Sequence, residues 1–309
     1  MVVTLTLNPA VDLSIETSAP LRWNGVVPVR REVETPGGKG VNVAKVLAVN
    51  GQTTTAAGLL GRDRLACFKS FLEPVGIRCC FREVDHPTRV NLMITDGAGR
   101  ELKVNRPGWT YPPIPFDEVM AFVRSVIHPG DWLLMGGSLP QGFPEDGYAR
   151  LVRMAHEMNC LVGLDTSGLP LRLALSEKPD LLKPNRRELA EALGQRLNSE
   201  RLLLRALASL SPHHEVIIVS DGPRGAWFAS KGEILFAPSP PVDRKDSTGA
   251  GDSLFGQFCA DYLPSRRLTP EITARAVAAG AAAVEQLGSP ILSRQRIQEL
   301  AAGVAVERR

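Results

Sequence analysis

Asp246-Ser247-Thr248-Gly249-Ala250-Gly251-Asp252-Ser253 runs straight into a stretch whose apolar residues, Leu254, Phe255, Phe258 and Cys259, recur at helical spacing. The small residues at 249–251 let consecutive main-chain N–H groups converge, and a helix starting there adds a partial positive charge. Together they form a pocket for a multiply charged oxyanion, for which phosphate is the obvious guest. Asp252 stands in the same turn. A carboxylate there can accept the proton of an attacking hydroxyl, while the main chain of Gly249, Ala250 and Gly251 neutralises charge on a moving phosphoryl group. The plainer reading is that Asp252 caps the helix, since Asp is favoured at helix N-termini.

Upstream of this turn the pattern is regular. From about residue 116, helices alternate with the strands Trp132 to Met135, Leu161 to Asp165, Leu181 to Lys183 and Val216 to Ser220, which predicts a parallel sheet covered by helices. A hairpin-like stretch, Ala226 to Phe236, and a loop with Pro238, Pro240 and Pro241 lead into the helix that runs through Tyr262. Further helices are expected near 270–286 and 293–302. At the other end, a strand at 2–7 precedes a polar stretch to Pro36, and Gly37-Gly38-Lys39-Gly40 then opens a helix whose buried face carries Val41, Ala44, Val46, Leu47 and Val49. Residues 12–35 read as excursion strands. Arg89 to Thr95 and Glu101 to Asn105 flank Asp96-Gly97-Ala98-Gly99, which is hairpin chemistry, so the two segments predict a small sheet outside the main body.

Bulk properties narrow the choice of partner. With 309 residues and 44% apolar residues, the chain can bury the core of one large α/β domain. The 36 basic residues nearly cancel the 33 acidic ones and never gather into a run that could track a nucleic-acid backbone, so nucleic acid is not an expected partner. Five scattered cysteines have no zinc spacing and suit a reducing compartment, and the five histidines show no metal-ligand pattern. The opening Met1-Val-Val-Thr-Leu-Thr-Leu reads as a strand and not as a signal peptide. Val277 to Val284 is too short to span a bilayer, so no membrane is expected and the cytoplasm is the expected compartment.

Three further groups carry chemistry. In Lys183-Pro184-Asn185-Arg186-Arg187-Glu188, Asn185 and Glu188 share one face of a first helical turn at the sheet's carboxyl edge, where both suit a water-rich magnesium shell. The same spacing also spells a capping box. Pro36-Gly37-Gly38-Lys39-Gly40-Val41-Asn42 is not a P-loop, because Gly40 stands where Ser or Thr must follow the Lys. Its glycines admit a polar ligand to the backbone and Asn42 offers a donor and acceptors to sugar hydroxyls; a tight packing turn is the alternative. Asp12 at a strand's carboxyl edge suits hydroxyl recognition, and Arg89, Lys103 and Arg106 on the outer hairpin could grip a substrate phosphate, although such charges commonly form a solvated face.

These motifs occur in one order: Asn8-Pro-Ala-Val-Asp12, Gly37-Gly-Lys-Gly-Val-Asn42, Gly137-Ser-Leu-Pro140, Lys183-Pro-Asn-Arg-Arg-Glu-Leu189 and Asp246 to Asp252. In this the whole chain resembles the PfkB, or ribokinase-like, carbohydrate kinases, and within them the hexose-phosphate branch of 1-phosphofructokinase and tagatose-6-phosphate kinase. The resemblance implies one domain over 1–309 with a three-layer α/β/α ribokinase-like fold, a mostly parallel central sheet and a small β-sheet lid from about 12–35 and 88–108. It also implies a homodimer joined through that lid.

Carried over position by position, the resemblance implies that Asp252 is the catalytic base and that Gly249, Ala250 and Gly251 form the anion hole. Lys183, Asn185, Glu188, Ser220, Gly222, Gly225 and Thr248 would hold Mg-ATP, with Glu188 reaching Mg2+ through water. Asp12, Gly37, Gly38, Lys39, Asn42, Arg89, Lys103, Arg106 and Ser138 would contact the sugar. A monovalent cation, K+, is implied near Val242, Asp246 and Thr248. The expected reaction converts fructose 1-phosphate to fructose 1,6-bisphosphate. Tagatose 6-phosphate, fructose 6-phosphate, an unphosphorylated sugar or a nucleoside are alternative acceptors, and a silent sugar- or nucleotide-binding protein is the reading from another class. Pro28 departs from the branch, which carries a basic residue there; Arg30, Arg31, Lys103 or Arg106 are the candidates to replace it.

Overall fold

Consecutive apolar or small residues, as in Val2-Val3-Thr4-Leu5-Thr6, suit a strand covered on both faces, and all five of these are buried. The computed structural model describes residues 1–110, 112–289 and 291–309. The chain opens with β1 (Val2–Thr6), β2 (Ala10–Thr17), β3 (Val29–Gly37), α1 (Lys39–Val49), β4 (Thr54–Gly61), α2 (Leu65–Leu72), β5 (Ile77–Val84), β6 (Arg89–Thr95) and β7 (Glu101–Val104). The regular alternation follows, with α3 (Phe116–Val126), β8 (Trp132–Gly136), α4 (Gly147–Glu157), β9 (Leu161–Asp165), α5 (Gly168–Ala174), β10 (Leu181–Leu182), α6 (Arg186–Leu193), α7 (Glu200–Leu210) and β11 (Val216–Ser220). The hairpin β12 (Gly225–Ser230) and β13 (Glu233–Pro238) leads to α8 (Ala250–Tyr262), α9 (Pro270–Val284), α10 (Arg294–Ala301) and β14 (Glu307–Arg308).

Among the described residues, ten strands form one sheet in the order β14-β13-β12-β11-β10-β9-β8-β1-β4-β5. The neighbours from β11 to β5 run parallel, and β12, β13 and β14 are added antiparallel at one edge. Side chains alternate between two cores, as a strand's period of two demands. Leu133, Met135, Ile217 and Val219 face a cluster with Val119, Leu151, Leu171, Leu189 and Leu203 from α3 to α7. Trp132, Leu134, Val216 and Ile218 face the other way, against Val43 and Leu47 of α1, Leu254, Phe255 and Phe258 of α8, and Ile272 of α9. Helices on both faces of a mostly parallel sheet make the helix-covered sheet that the alternation predicts and the three-layer α/β/α architecture that the resemblance implies.

The chain extends the sheet from β1 first towards β4 and β5, then from β8 out to β11. The order therefore reverses between β1 and β8. A crevice must open there beyond the carboxyl ends of the strands, because the connections leave in opposite directions.

A second sheet, β3-β2-β6-β7, is built by the excursion segments; its first pair begins at Ala10 and ends at Gly37. In the 96–99 turn, Asp96 Oδ1 accepts from the Ala98 and Arg100 N–H groups, each at 3.0 Å, and Gly99 has φ +75°. Sequence reading assigns no element between Gly51 and Thr88, where β4, α2 and β5 lie. β4 carries two Ala and two Gly, which are depleted in strands, and burial of all eight of its residues overrides that preference.

Leu5 sits fully buried in β1 at the centre of the parallel sheet. Leu5→Ala is expected to lose about 2–5 kcal/mol, through lost burial and a residual cavity. Urea unfolding checks this: the midpoint should fall with the m-value unchanged. A midpoint equal to that of the parent would contradict the packing described.

Candidate active site

α8 begins where Gly249 takes φ +72°, and a Cβ on that residue would lie 2.5 Å from Ser289 Oγ, so glycine is required there on both counts. Among the described residues, no group accepts a hydrogen bond from the Ala250, Gly251 or Asp252 N–H. These are the first donors of a helix, which have no intrahelical partner. The Asp252 carboxylate does not cap them. Asn42 Nδ2 donates to Asp252 Oδ2 at 2.8 Å, and among the described residues nothing donates to Oδ1. Burial pushes the Asp252 carboxyl above the ordinary carboxylate range and Asp165 adds to the rise; the Lys39 charge, the Asn42 hydrogen bond and Lys183 oppose it.

Below this turn, Asp165 at the end of β9 holds two lysines. Lys39 Nζ lies 2.7 Å from Oδ1, and Lys183 Nζ lies 2.9 Å from Oδ2. Burial alone would raise the Asp165 carboxyl, yet Lys183 and Lys39 hold it below the usual range. Burial likewise works against the Lys39 charge, but Asp165, Asp252 and Glu188 outweigh it and keep the ammonium protonated. A Cβ on Gly251 would stand 3.4 Å from Lys183 Nζ, so this cation lies directly beside the free amides.

Two clefts meet at Asp252. One, of about 640 Å³, is lined by Asp12, Gly38, Asn42, Arg89, Ser138 and Thr248 among others. The other, of about 990 Å³, is lined by Lys183, Asn185, Glu188, Ser220, Gly222 and Gly251 among others. Lys39, Lys103, Asn105, Ser247 and Asp252 border both. Arg106 borders the first, and among the described residues neither its side chain nor that of Lys103 has a hydrogen-bond or ion-pair partner.

Four expected contacts take another form. Gly37 does not line the first cleft; a Cβ there would fall 2.1 Å from Asp12 Oδ2, so it makes room for the carboxylate that does. Gly225 does not line the second cleft. It opens β12 at φ +120°, where a Cβ would meet the Ala237 carbonyl at 2.1 Å, which is a packing requirement. Arg89 borders the first cleft but spends its guanidinium on the carbonyls of Asn8 (2.9 Å), Pro9 (3.3 Å) and Arg106 (2.7 Å), tying β6 to the loop after β1. Thr248 lines the first cleft and not the second, where it was expected.

The capping box at Asn185 is fully formed: the Glu188 N–H donates to Asn185 Oδ1 at 2.9 Å, and the Asn185 N–H donates to Glu188 Oε2 at 2.8 Å. Glu188 Oε1 takes no protein donor among the described residues, where no cluster of three His, Cys, Asp or Glu could cage a metal. That donor set fits a magnesium ion that keeps most of its water and arrives with phosphates. Asp246 is fully buried and already committed, with Oδ1 accepting from the Thr248 N–H and Oδ2 from Ser14 Oγ and the Gly288 N–H. Val242 packs against the α9–α10 cluster. A monovalent cation there would therefore depend on main-chain oxygens.

Sequence reasoning missed Asp165, Asn91, Asn8 and Lys45. Asn91 Nδ2 donates to Asp12 Oδ1 at 3.0 Å, and Asn91 Oδ1 is buried, unpartnered and on the first cleft. Asn8 Nδ2 bridges Ser138 Oγ (3.1 Å) and the Pro107 carbonyl (3.0 Å). Only Asp165 carried a usable signal, as an acid ending a buried strand at the sheet's carboxyl edge.

Known proteins share this fold and much of this sequence. The family described as pfkB family carbohydrate kinase matches residues 5–295. The chain is 32% identical to a 1-phosphofructokinase of Vibrio cholerae over 97% of this chain and 94% of that protein, and 31% identical to one of Bacillus subtilis over 97% and 98%. The solved structure of phosphofructokinase-2 from Escherichia coli in complex with potassium superposes with a TM-score of 0.87 at 28% identity, covering 97% of this chain and 98% of that one. With the family matched over nearly the whole chain and the fold shared, the protein belongs to the pfkB family of carbohydrate kinases and is a phosphotransferase that acts on an alcohol group.

Proposed function

We propose that the protein transfers the terminal phosphoryl group of ATP to a hydroxyl of a ketohexose phosphate, with fructose 1-phosphate as the acceptor and fructose 1,6-bisphosphate as the product. The observation that carries this reading is the Asp252 carboxylate at the junction of the two clefts, one oxygen held by Asn42 and the other without a protein donor. The 1-phosphofructokinase names of the relatives support the choice of acceptor. The cytoplasm is the compartment we infer, since it would keep the five free thiols reduced.

In this reading the sugar occupies the first cleft and the nucleotide the second. Asp252 Oδ1 takes the proton of the attacking hydroxyl, and its burial-raised affinity for a proton favours that transfer. The N–H groups of Gly249, Ala250 and Gly251, joined by that of Asp252 and with Lys39 and Lys183 beside them, oppose the negative charge that spreads over the phosphoryl oxygens. Magnesium, when bound near Glu188 and Asn185, would neutralise further phosphate charge. The potassium in the Escherichia coli structure supports a cation near Val242, Asp246 and Thr248, and activity in potassium well above that in sodium would bear it out.

Asp252→Asn keeps the shape and removes the proton acceptor. Turnover measured by ADP release should fall by about 10²–10⁴ with ATP binding retained. Turnover within tenfold of the parent would end the role given to Asp252. In the same assay fructose 1-phosphate should outperform fructose 6-phosphate, tagatose 6-phosphate and the unphosphorylated sugars. If none of the phosphates reacts but a neutral sugar or nucleoside does, the second reading, motivated by Pro28, takes its place.

Lys103 and Arg106 supply the positive charge that Pro28 lacks, because both border the first cleft without a protein partner. Each charged hydrogen bond is worth about 1.5–3 kcal/mol. Lys103→Ala and Arg106→Ala should therefore raise KM for the sugar phosphate about tenfold or more, and Arg106→Ala, which borders the first cleft alone, should leave KM for ATP near its parental value. An unchanged sugar-phosphate KM in both variants would remove them from this role.

The 12–35 segment also supports association through a lid. Between β2 and β3, Trp23 is 98% and Val26 97% exposed, with Leu21 and Val29 beside them, an apolar surface that a second copy would cover. The parent should sediment as a dimer and Trp23→Asp as a monomer. A parent that remains monomeric at micromolar concentration would overturn the proposal.

A further inference from the structure

Lys45 carries a charge into the interior that the reaction outlined above does not use. It lies on α1 three residues after Asn42 and is 1% exposed. Its Nζ donates to the Pro36 carbonyl at 2.6 Å, the Ser289 carbonyl at 2.8 Å and Asn42 Oδ1 at 3.2 Å, with the Phe71 ring 5.3 Å away. An ammonium has three N–H donors, and here every one has an acceptor.

The third of these bonds decides which way Asn42 points. An Asn amide has an acceptor at one end and a donor at the other, so either end could turn towards Asp252. Presenting Oδ1 to the carboxylate would set oxygen against oxygen. With Lys45 on Oδ1, Nδ2 is left to donate to Asp252 Oδ2.

We propose that Lys45 is a positioning residue for phosphoryl transfer: its ammonium locks the Asn42 amide in the orientation that holds one oxygen of Asp252 and leaves the other for the acceptor hydroxyl. The inference rests on Asp252 being the base. The charged groups facing Lys45 are Asp12 from β2 and Asp252 from α8, while the segments before α1 and after α9 offer carbonyls and α2 offers a ring. Burial pulls the Lys45 pKa down to about 8 against the pull of the two aspartates. A neutral amine has only two N–H groups for three acceptors, and the longest bond, to Asn42, is the one to be given up.

Steady-state kinetics between about pH 6 and 9 on the parent, Lys45→Met, Lys45→Arg, Asn42→Ala and the Lys45→Met/Asn42→Ala double variant test this. The parental kcat should fall on the alkaline side with an apparent pKa of about 8. Lys45→Met should lower kcat about tenfold to a hundredfold, the scale of a misplaced catalytic group, with KM for ATP within about twofold of the parent. It should also lose the alkaline limb. Lys45→Arg should restore most of kcat and shift the limb upward. The double variant should be no slower than Asn42→Ala alone, because Lys45 acts through Asn42. A parental kcat in Lys45→Met, or losses that multiply in the double variant, would overturn the inference. If Lys45→Met does not fold, Lys45→Arg and its double variant with Asn42→Ala decide, since losses that multiply there have the same consequence. A silent Asp252→Asn beside a fully active Lys45→Met sinks this inference only, whereas an active Asp252→Asn sinks the base itself.

Discussion

The hydrogen bond from Asn42 to Asp252 joins residues 210 positions apart, and it exists only because α1 and α8 begin side by side. That approach is bought by small residues. A Cβ on Gly256 would lie 2.8 Å from Val46 Cβ, and one on Gly280 would lie 3.2 Å from the Ala250 carbonyl. Bulk at Gly256 would push α1 and α8 apart and separate the carboxylate from the amide that holds it, and bulk at Gly280 would push α9 off the start of α8. The meeting of the two clefts depends on this pair, since Lys39 at the start of α1 and Asp252 at the start of α8 border both.

Around this contact the interior holds a compact set of opposite charges. Lys39, Lys45 and Lys183 face Asp12, Asp165 and Asp252. Each would be costly to bury alone, and each is held by an ion pair, by carbonyls or by an asparagine amide. The distribution is uneven in a useful way. Asp165 is paired with an ammonium group at each oxygen, which holds its carboxyl below the usual range, whereas burial raises that of Asp252, one of whose oxygens has no donor among the described residues. One buried carboxylate therefore serves as a fixed anchor for the lysines while the other can still exchange a proton.

Several motifs turned out to carry two duties at once. Asn185 and Glu188 form the capping box that local spacing predicts, and still border the second cleft, because a carboxylate has more acceptor capacity than one N–H consumes. Gly37 and Gly225 stand in motifs of the site but act by what they leave empty. Arg89 serves the first cleft indirectly, by tying down the loop that bears Asn8 and the start of β2.

The residues alone determined the layered α/β body, the hairpin turn at Asp96, the excursion strands and the helix that opens at Gly249, since each rests on local periodicity or turn chemistry. Asp252, Lys39 and Asn42 were singled out in the same way, because they stand in or beside glycine-rich turns at helix starts. Tertiary structure decided the rest. That Lys45 reaches Asn42 and Ser289, that Asn91 supports Asp12 and that Lys183 pairs with Asp165 depends on segments brought together by sheet order and helix packing. A buried charge finds its partner through space, and linear spacing holds no record of that distance.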